Sequence, residues 1–169
     1  MKKVISLMIV SICVSLVGMA QNGVTRFSVG PELGIATGTF GLGWGLGIGA
    51  SAQAEHFFQE NLSGTALVGF VSYLGKSIGN GLKYKAINII PLRVGARFYP
   101  VEGFHLGAQI GLGFLTGGGS SSTAFSYSPQ VGYNFKTNSG KPIDATFKYD
   151  GYTKDGTLGA LGIRVALVL

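Results

Sequence analysis

The residues able to do chemistry are few, and they fall on the polar side of an alternating pattern. They are Arg26, Glu32, Gln53, Glu55, Arg93, Arg97, His105, Gln109, Gln130, Asn134, Asp144, Lys148, Asp150 and Arg164. Carboxylates and cations in such a set can work as acids and bases, or they can pair. Nucleophilic catalysis would need a serine, a histidine and an acid within hydrogen-bond reach. The chain has 2 histidines. His56 falls in a predicted turn and His105 opens a predicted strand at the same rim. Ser120, Ser121 and Ser122 fall in a predicted loop at the opposite rim, so no catalytic residue is expected. No metal-ligand spacing stands out, and no cofactor is expected. Gly43-Trp44-Gly45-Leu46-Gly47 has the look of a phosphate-binding loop, but no helix follows it, and a period-two strand accounts for the glycines. Asn61-Leu62-Ser63 fits a glycosylation sequon, a short pattern that carries little weight on its own.

These side chains must be positioned by a chain of unusual composition. Only 12% of its 169 residues are charged, and 29 are glycine. An average soluble domain has about 25% charged residues and about 7% glycine. The length suits one domain. The start reads as an address. Met1-Lys2-Lys3 is basic, residues 4–17 are apolar, and Gly18-Met19-Ala20 sets small residues before Gln21. This is the pattern of a secretory signal peptide over residues 1–20, cleaved after Ala20. The apolar run is shorter than the roughly 20 residues of a spanning helix. Cys13, the single cysteine, leaves with the leader, so neither a disulfide nor thiol chemistry is expected in residues 21–169. Loss of Lys2 and Lys3 leaves eleven basic side chains against seven acids, scattered along the chain, and a nucleic-acid partner is not expected.

After the leader no segment has helical periodicity. Apolar residues recur at period two in eight runs. Leu42, Trp44, Leu46, Ile48, Ala50, Ala52 and Ala54 oppose Gly43, Gly45, Gly47, Gly49, Ser51, Gln53 and Glu55. Phe104, Leu106, Ala108, Ile110, Leu112 and Phe114 oppose His105, Gly107, Gln109, Gly111 and Gly113. Similar runs begin near Arg26, Ile90, Phe125, Ile143 and Leu161. The run Leu62–Leu74 has ambiguous faces. Turn signals fall at Thr37–Gly41, His56–Asn61, Gly75–Tyr84, Pro100–Gly103, Gly117–Thr123, Thr137–Lys141 and Thr153–Gly156. Strands of this length can cross a bilayer when tilted. The expected fold is all-β: an eight-stranded antiparallel up-and-down transmembrane β-barrel.

Alternation alone does not say which face looks outward. A soluble lipocalin-like barrel holding an apolar ligand would put the apolar face inside. Here the polar face is largely glycine, which would make a poor soluble exterior. It suits a narrow bore, in which glycines leave room for long arginines and glutamines. The apolar face carries aromatics and no charge, as a lipid-facing surface should. The fourteen polar residues named at the outset are then expected to form a paired network filling the lumen, because an unpartnered buried charge costs several kcal/mol. A narrow pore for small solutes or ions is the alternative use of such a lumen. Aromatics cluster near strand ends, with Phe57, Phe58, Phe98, Tyr99, Phe104 and Phe135 toward one rim. Phe40, Trp44, Tyr73, Tyr84, Phe125, Tyr127, Tyr149 and Tyr152 lie toward the other. Both groups are expected to form headgroup-level belts.

The run Ile90-Pro91-Leu92-Arg93-Val94-Gly95-Ala96-Arg97-Phe98-Tyr99-Pro100, followed by Leu106-Gly107-Ala108-Gln109-Ile110-Gly111-Leu112-Gly113, resembles the small outer-membrane β-barrel domain proteins of Bacteroidota. It is also similar to the wider porin-like superfamily of eight-stranded barrels. The resemblance covers residues 21–169. It implies an outer-membrane protein delivered through the periplasm by chaperones and the barrel-assembly machinery, with a structural or interaction role in the envelope. A few small outer-membrane barrels modify lipids, which keeps a lipid-modifying enzyme as a further alternative. Many such chains end in an aromatic residue, and this one ends in Leu169. With the chain ends on the periplasmic side, Lys76, Lys83, Lys85 and Lys154 fall in outer loops. There they are expected to meet the phosphates of outer-leaflet lipopolysaccharide.

Overall fold

Alternating patterns of this kind must find partners for every strand edge, and the chain does so by closing on itself. The computed structural model describes residues 23–79, 82–137 and 140–169. The leader reading falls on residues outside that range. Eight strands form the wall: β1 (Thr25–Thr37), β2 (Trp44–Gln59), β3 (Leu62–Gly75), β6 (Ile87–Val101), β7 (Phe104–Gly117), β8 (Ser120–Phe135), β9 (Ile143–Thr153) and β10 (Thr157–Val168). A one-turn helix α1 (Phe40–Gly43) follows β1, and the short strands β4 (Ser77–Gly79) and β5 (Leu82–Lys83) form a hairpin beyond β3. The wall order is β1-β10-β9-β8-β7-β6-β3-β2, a closed barrel. Each neighbouring pair is antiparallel, and β1 closes onto β10 from Ser28↔Val168 to Thr37↔Gly159. Closure leaves no free edge, which is what a hydrocarbon surrounding demands.

The faces are those of a membrane barrel. Leu46, Ile110 and Val165 are 45%, 54% and 44% exposed, whereas Arg93 and Gln109 are 1% and 2% exposed. Most large apolar side chains of the eight wall strands look outward, and the core is the lumen itself. Strands of 11 to 16 residues are long enough to cross a bilayer at a tilt. The ambiguous run is resolved in β3, where Ser63, Thr65, Leu67, Val71 and Tyr73 point inward and Leu62, Val68, Phe70 and Leu74 outward. Its ambiguity came from Leu67 and Val71, two apolar residues on the inner face.

The first and last described residues, Gly23 and Leu169, and the connections after β2, β6 and β8 lie at one end, the mouth. At the other end, the loop end, stand α1, the β4–β5 hairpin, the Gly118-Gly119 turn and the turn between β9 and β10. The sequence reading needs correction at this end. A helical turn stands where only a turn was expected. The turn after β7 is tight, with positive φ at Gly118 and Gly119, so Ser120–Ser122 belong to β8 and not to a loop. Trp44 was assigned to the outer face beside Leu46. An irregularity in register between Trp44 and Gly47 instead pairs Trp44 with Gly75, on the inner side. At the mouth end, His56 lies within β2, not in a turn.

Candidate functional site

Strand alternation aims one residue in two into the bore, and eight strands leave a space that side chains fill. Arg93, Arg97, Lys148 and Arg164 supply four buried cations, and Glu32, Glu55, Asp144 and Asp150 supply four buried carboxylates. In the mouth-side half, Asp144 is the hub. Its Oδ2 meets Arg97 Nη1 at 3.0 Å and His105 Nε2 at 3.0 Å, and its Oδ1 accepts from Thr146 Oγ1 at 2.6 Å and lies 3.4 Å from Arg164 Nη1. Arg97 also reaches Glu55 at 3.4 Å, and Glu55 accepts from Ser63 Oγ at 2.5 Å and from Tyr99 OH at 2.6 Å.

Toward the middle, Arg164 Nε donates to Ser51 Oγ at 2.8 Å, and its Nη2 donates to Ser28 Oγ at 3.0 Å. Ser51 in turn donates to Glu32 at 2.5 Å. Lys148 Nζ bridges Glu32 at 2.8 Å and Asp150 at 3.2 Å. Arg93 closes the chain, with Nη1 to Asp150 at 2.6 Å, Nε to Ser126 Oγ at 2.7 Å and Nη2 to Tyr152 OH at 2.8 Å. Beside this path Gln109 donates to Thr65 Oγ1 at 3.0 Å and meets the Gln53 amide. Every buried charge therefore has an opposite partner, the condition under which buried ions are tolerated.

Above Arg93 the lumen changes character. Phe40, Tyr73, Ile89, Leu115, Ala124 and Tyr152 pack into an apolar cluster, with Trp44 against it. Phe40 enters from α1, and its ring lies 4.9 Å from that of Tyr73 and 5.4 Å from that of Trp44. Trp44 Nε1 donates to the Lys85 carbonyl at 3.0 Å, which pins the indole over the bore. The Tyr73 and Tyr152 rings fit only because the facing positions lack side chains. A Cβ at Gly47 would lie 2.5 Å from Tyr73 Cε1, and one at Gly113 would lie 2.5 Å from Tyr152 Cδ1. Phe40, Trp44, Tyr73 and Tyr152 were expected in an outer belt and instead form an internal stopper. Phe125, Tyr127 and Tyr149 remain on the outer surface, with Tyr127 and Tyr149 rings 6.1 Å apart.

Among the fourteen residues proposed for the lumen, Arg26 and Asn134 stand apart. Arg26 has the inward parity but lies at the mouth, exposed, with its guanidinium 4.8 Å above the Phe57 ring. The strand tilt brings its position out of the bore, a displacement that parity cannot register. Asn134 is half-buried beside it and donates to Tyr99 OH at 3.4 Å. Gln130 is buried on the inner wall, and neither its Nε2 nor His105 Nδ1 has a partner among the described residues. The sequence reading left out Ser51, Ser63, Thr65, Thr146, Tyr99 and Tyr152 as network members. Ser51, Thr146, Tyr99 and Tyr152 share parity with charges on their own strands, and that was the available signal; Ser63 and Thr65 lie on β3, which carries no charge to mark its inner face.

The loop-end lysines Lys76, Lys83, Lys85 and Lys154 are exposed, and Lys76 Nζ donates to the Gly41 carbonyl at 2.6 Å. His56 is held at the mouth end by Thr25 Oγ1 at 2.9 Å, and His105 is enclosed in the lumen, while Ser120–Ser122 stand at the loop end. The structure thus brings neither histidine to that serine run. No group of three or more metal-ligating residues occurs among the described residues. Beyond the wall strands, Glu102 and Lys136 form an exposed pair at 2.5 Å between neighbouring turns at the mouth rim. Their mutual hydrogen bond and charge lower the Glu102 carboxyl below its ordinary range and raise the Lys136 ammonium.

A closed eight-stranded wall, apolar outside and ionic within, is a β-barrel of the transmembrane class. No family model and no curated protein matches the chain. Among solved structures, it is similar to Neisserial surface protein A, with a TM-score of 0.63 at 17% identity over 88% of this chain and 97% of that one. It is similar to the outer membrane protein OprG of Pseudomonas aeruginosa, with a TM-score of 0.55 at 8% identity over 86% and 95%. It is also similar to Ail, the attachment invasion locus protein of Yersinia pestis, with a TM-score of 0.53 at 16% identity over 86% and 97%. At these identities the likeness is one of fold: this is the architecture of the small outer-membrane barrels.

Proposed function

We propose that this chain is an integral outer-membrane barrel with a structural or interaction role in the bacterial envelope, and that its lumen is a plug and not a conduit. On this reading it is exported by the leader of residues 1–20, carried by periplasmic chaperones and inserted by the barrel-assembly machinery. Its sequence pattern resembles that of the small Bacteroidota barrels. The observation that carries the reading is the filled bore. Eight paired charges occupy its middle, and the Phe40–Tyr73–Tyr152 cluster stands above them. A water-filled path would need that cluster to part and its rings to be solvated, and narrow eight-stranded lumens are ordinarily filled. Ion pairs used in this way serve closure, and no catalytic role is assigned to them.

Two measurements test the reading. The outer-membrane fraction should contain the chain as a form that migrates faster unheated than boiled. Planar bilayers should show no discrete currents. Recovery in the soluble periplasmic fraction overturns the location, and reproducible unitary conductance overturns the plug in favour of a narrow pore.

The loop end supports one further element of this reading. Lys83 and Lys85 flank Tyr84, whose ring lies tilted 5.2 Å from that of Trp44. Cations beside aromatic rings at the headgroup level suit the phosphates of lipopolysaccharide. One of the similar structures, Ail, has been seen in complex with the heparin analogue sucrose octasulfate, a polyanion on a barrel of this fold. Lys76, Lys83, Lys85 and Lys154 are the residues assigned to this contact.

A further inference from the structure

The two ends of the bore are not equivalent. The loop end is stoppered by packed rings, whereas the mouth opens into a basin of about 770 Å³. That volume lies within the range of small-molecule sites, which occur in the mouths of β-barrels among other places. Its wall is unusual for a surface hollow, because Phe57, Tyr99 and Tyr133 contribute three aromatic rings. Beneath it a second space of about 10 Å³, roughly room for one water, is bounded by Arg26, Asn134, Glu55, Arg97 and Asp144. Arg26 and Asn134 line both spaces, so they mark where the basin ends and the ion network begins.

Charge accounting singles out Arg26. The four lumen cations and four lumen carboxylates balance, and the Glu102–Lys136 pair on the basin wall satisfies itself. The Arg26 side chain has no hydrogen bond or ion pair among the described residues, and its guanidinium lies over the face of Phe57. A cation–π contact of this kind leaves the guanidinium N–H groups free for a further partner. Those groups match the two oxygens of a carboxylate or a phosphate. Lys141, exposed and on the same wall, adds a second positive charge, and Glu60 is the wall's one acid outside the Glu102–Lys136 pair apart from the chain terminus.

We infer that the mouth basin is a binding site for a small organic anion. Its acid group docks on the guanidinium of Arg26, and its flat apolar body lies against Phe57, Tyr99 and Tyr133. The stoppered bore gives the site its character. A molecule that enters the mouth meets the Arg97–Asp144–Glu55 cluster and goes no further, so the basin retains ligands and does not pass them. The inference needs only the barrel and its closed far end, and it stands whether or not the loop-end lysines touch glycolipid.

The test uses the full barrel refolded in nanodiscs of zwitterionic lipid. Fluorine NMR follows titration with fluorobenzoate, with fluorophenyl phosphate and with neutral fluorobenzyl alcohol, and empty nanodiscs provide the baseline. Saturable broadening with at least one of the two anions, and none with the alcohol, is the expected result. The anion bound more tightly identifies the acid group as carboxylate or phosphate. Arg26→Gln should weaken that binding about tenfold or more, the scale of a charge-assisted hydrogen bond. Ser121→Asp, an equal change of net charge at an exposed position of the loop end, should leave it unaltered. The heat-dependent gel shift of each variant shows that the barrel is intact, and Arg26 is exposed enough that it should be. Absence of saturable binding beyond empty discs overturns the inference. Equal loss in the two variants does so as well, since that would mean attraction by net charge alone. Fractionation and conductance do not depend on this basin, so failure here leaves the envelope role standing.

Discussion

Replacement of Asp144 by Asn is the sharpest test of the idea that the lumen is held by compensated charge. Asp144 contacts two guanidiniums and an imidazole: Arg97 at 3.0 Å, Arg164 at 3.4 Å and His105 at 3.0 Å. Asparagine keeps the volume and one acceptor, but it leaves four cations facing three carboxylates in a closed bore. Arg164 retains Ser51, Ser28 and Glu32, the last at 3.8 Å. Arg97 retains Glu55 at 3.4 Å and a weak contact with Thr146 at 3.4 Å. Removal of one partner from a buried ion pair costs about 3–5 kcal/mol. Retained contacts on Arg164 place the expected loss at the lower end, about 3 kcal/mol on the same scale.

Trp44 is the only tryptophan, so urea unfolding from lipid vesicles can be followed by its fluorescence. A double-mutant cycle then separates pairing from packing. Arg97→Met combined with Asp144→Asn should be less destabilised than the sum of the single variants by about 1–3 kcal/mol, because each single change strands a charge that the double change removes. Additive losses, or an Asp144→Asn cost under about 1 kcal/mol, would refute the argument. The charges would then be solvated within the bore and not desolvated and paired.

Other consequences follow from the same geometry. Ile110→Arg, at mid-height on the outer face, should destabilise the membrane-inserted barrel by about 2–4 kcal/mol, whereas Thr116→Arg near the loop end should be tolerated; equal effects in the unfolding assay would deny the lipid-facing assignment. Gly47→Ala puts a methyl where the Tyr73 ring lies and should cost about 1–3 kcal/mol by overpacking, read from the same unfolding curves. Phe40→Ala empties a fully buried ring site and should cost about 3–5 kcal/mol, and currents appearing in bilayers with this variant would locate the seal in the stopper. At the mouth, Lys136→Gln should return the Glu102 carboxyl upward to its ordinary range. Its depressed value means the pair contributes above that ordinary range and is lost as pH falls through the lowered value; the raised Lys136 value means the same contribution is lost again as pH rises through it. Carboxyl-carbon NMR of Glu102 in the two proteins checks the direction.

Face and depth are separate quantities, and the sequence encodes them unequally. A side chain's face follows from parity, a local rule that survives any tilt, so Glu32, Arg93, Gln109, Asp150 and Arg164 were all legible as inward. Their partners were not. Lys148 meets Glu32 from 116 positions away, a contact fixed by the order of strands round the wall and the stagger between them. Depth fails for the same reason. Arg26 keeps the parity of Ser28 and Glu32, yet the stagger lifts it out of the bore and onto Phe57. Parity itself fails only where the ladder slips. The register irregularity after Trp44 reverses its face, and the helical turn at Phe40 gives a residue from a predicted loop a place at the axis. These two exceptions stand together at the loop end, where they complete the stopper over the ion network. A strictly regular eight-stranded wall can fill its bore only with what alternation delivers. Here alternation delivers Tyr73 and Tyr152, and the two departures from it add Phe40 and Trp44 to complete the cap. That is why the closed end was the least legible part of the sequence, and why the open mouth, built on regular strands, was misjudged in depth but not in face.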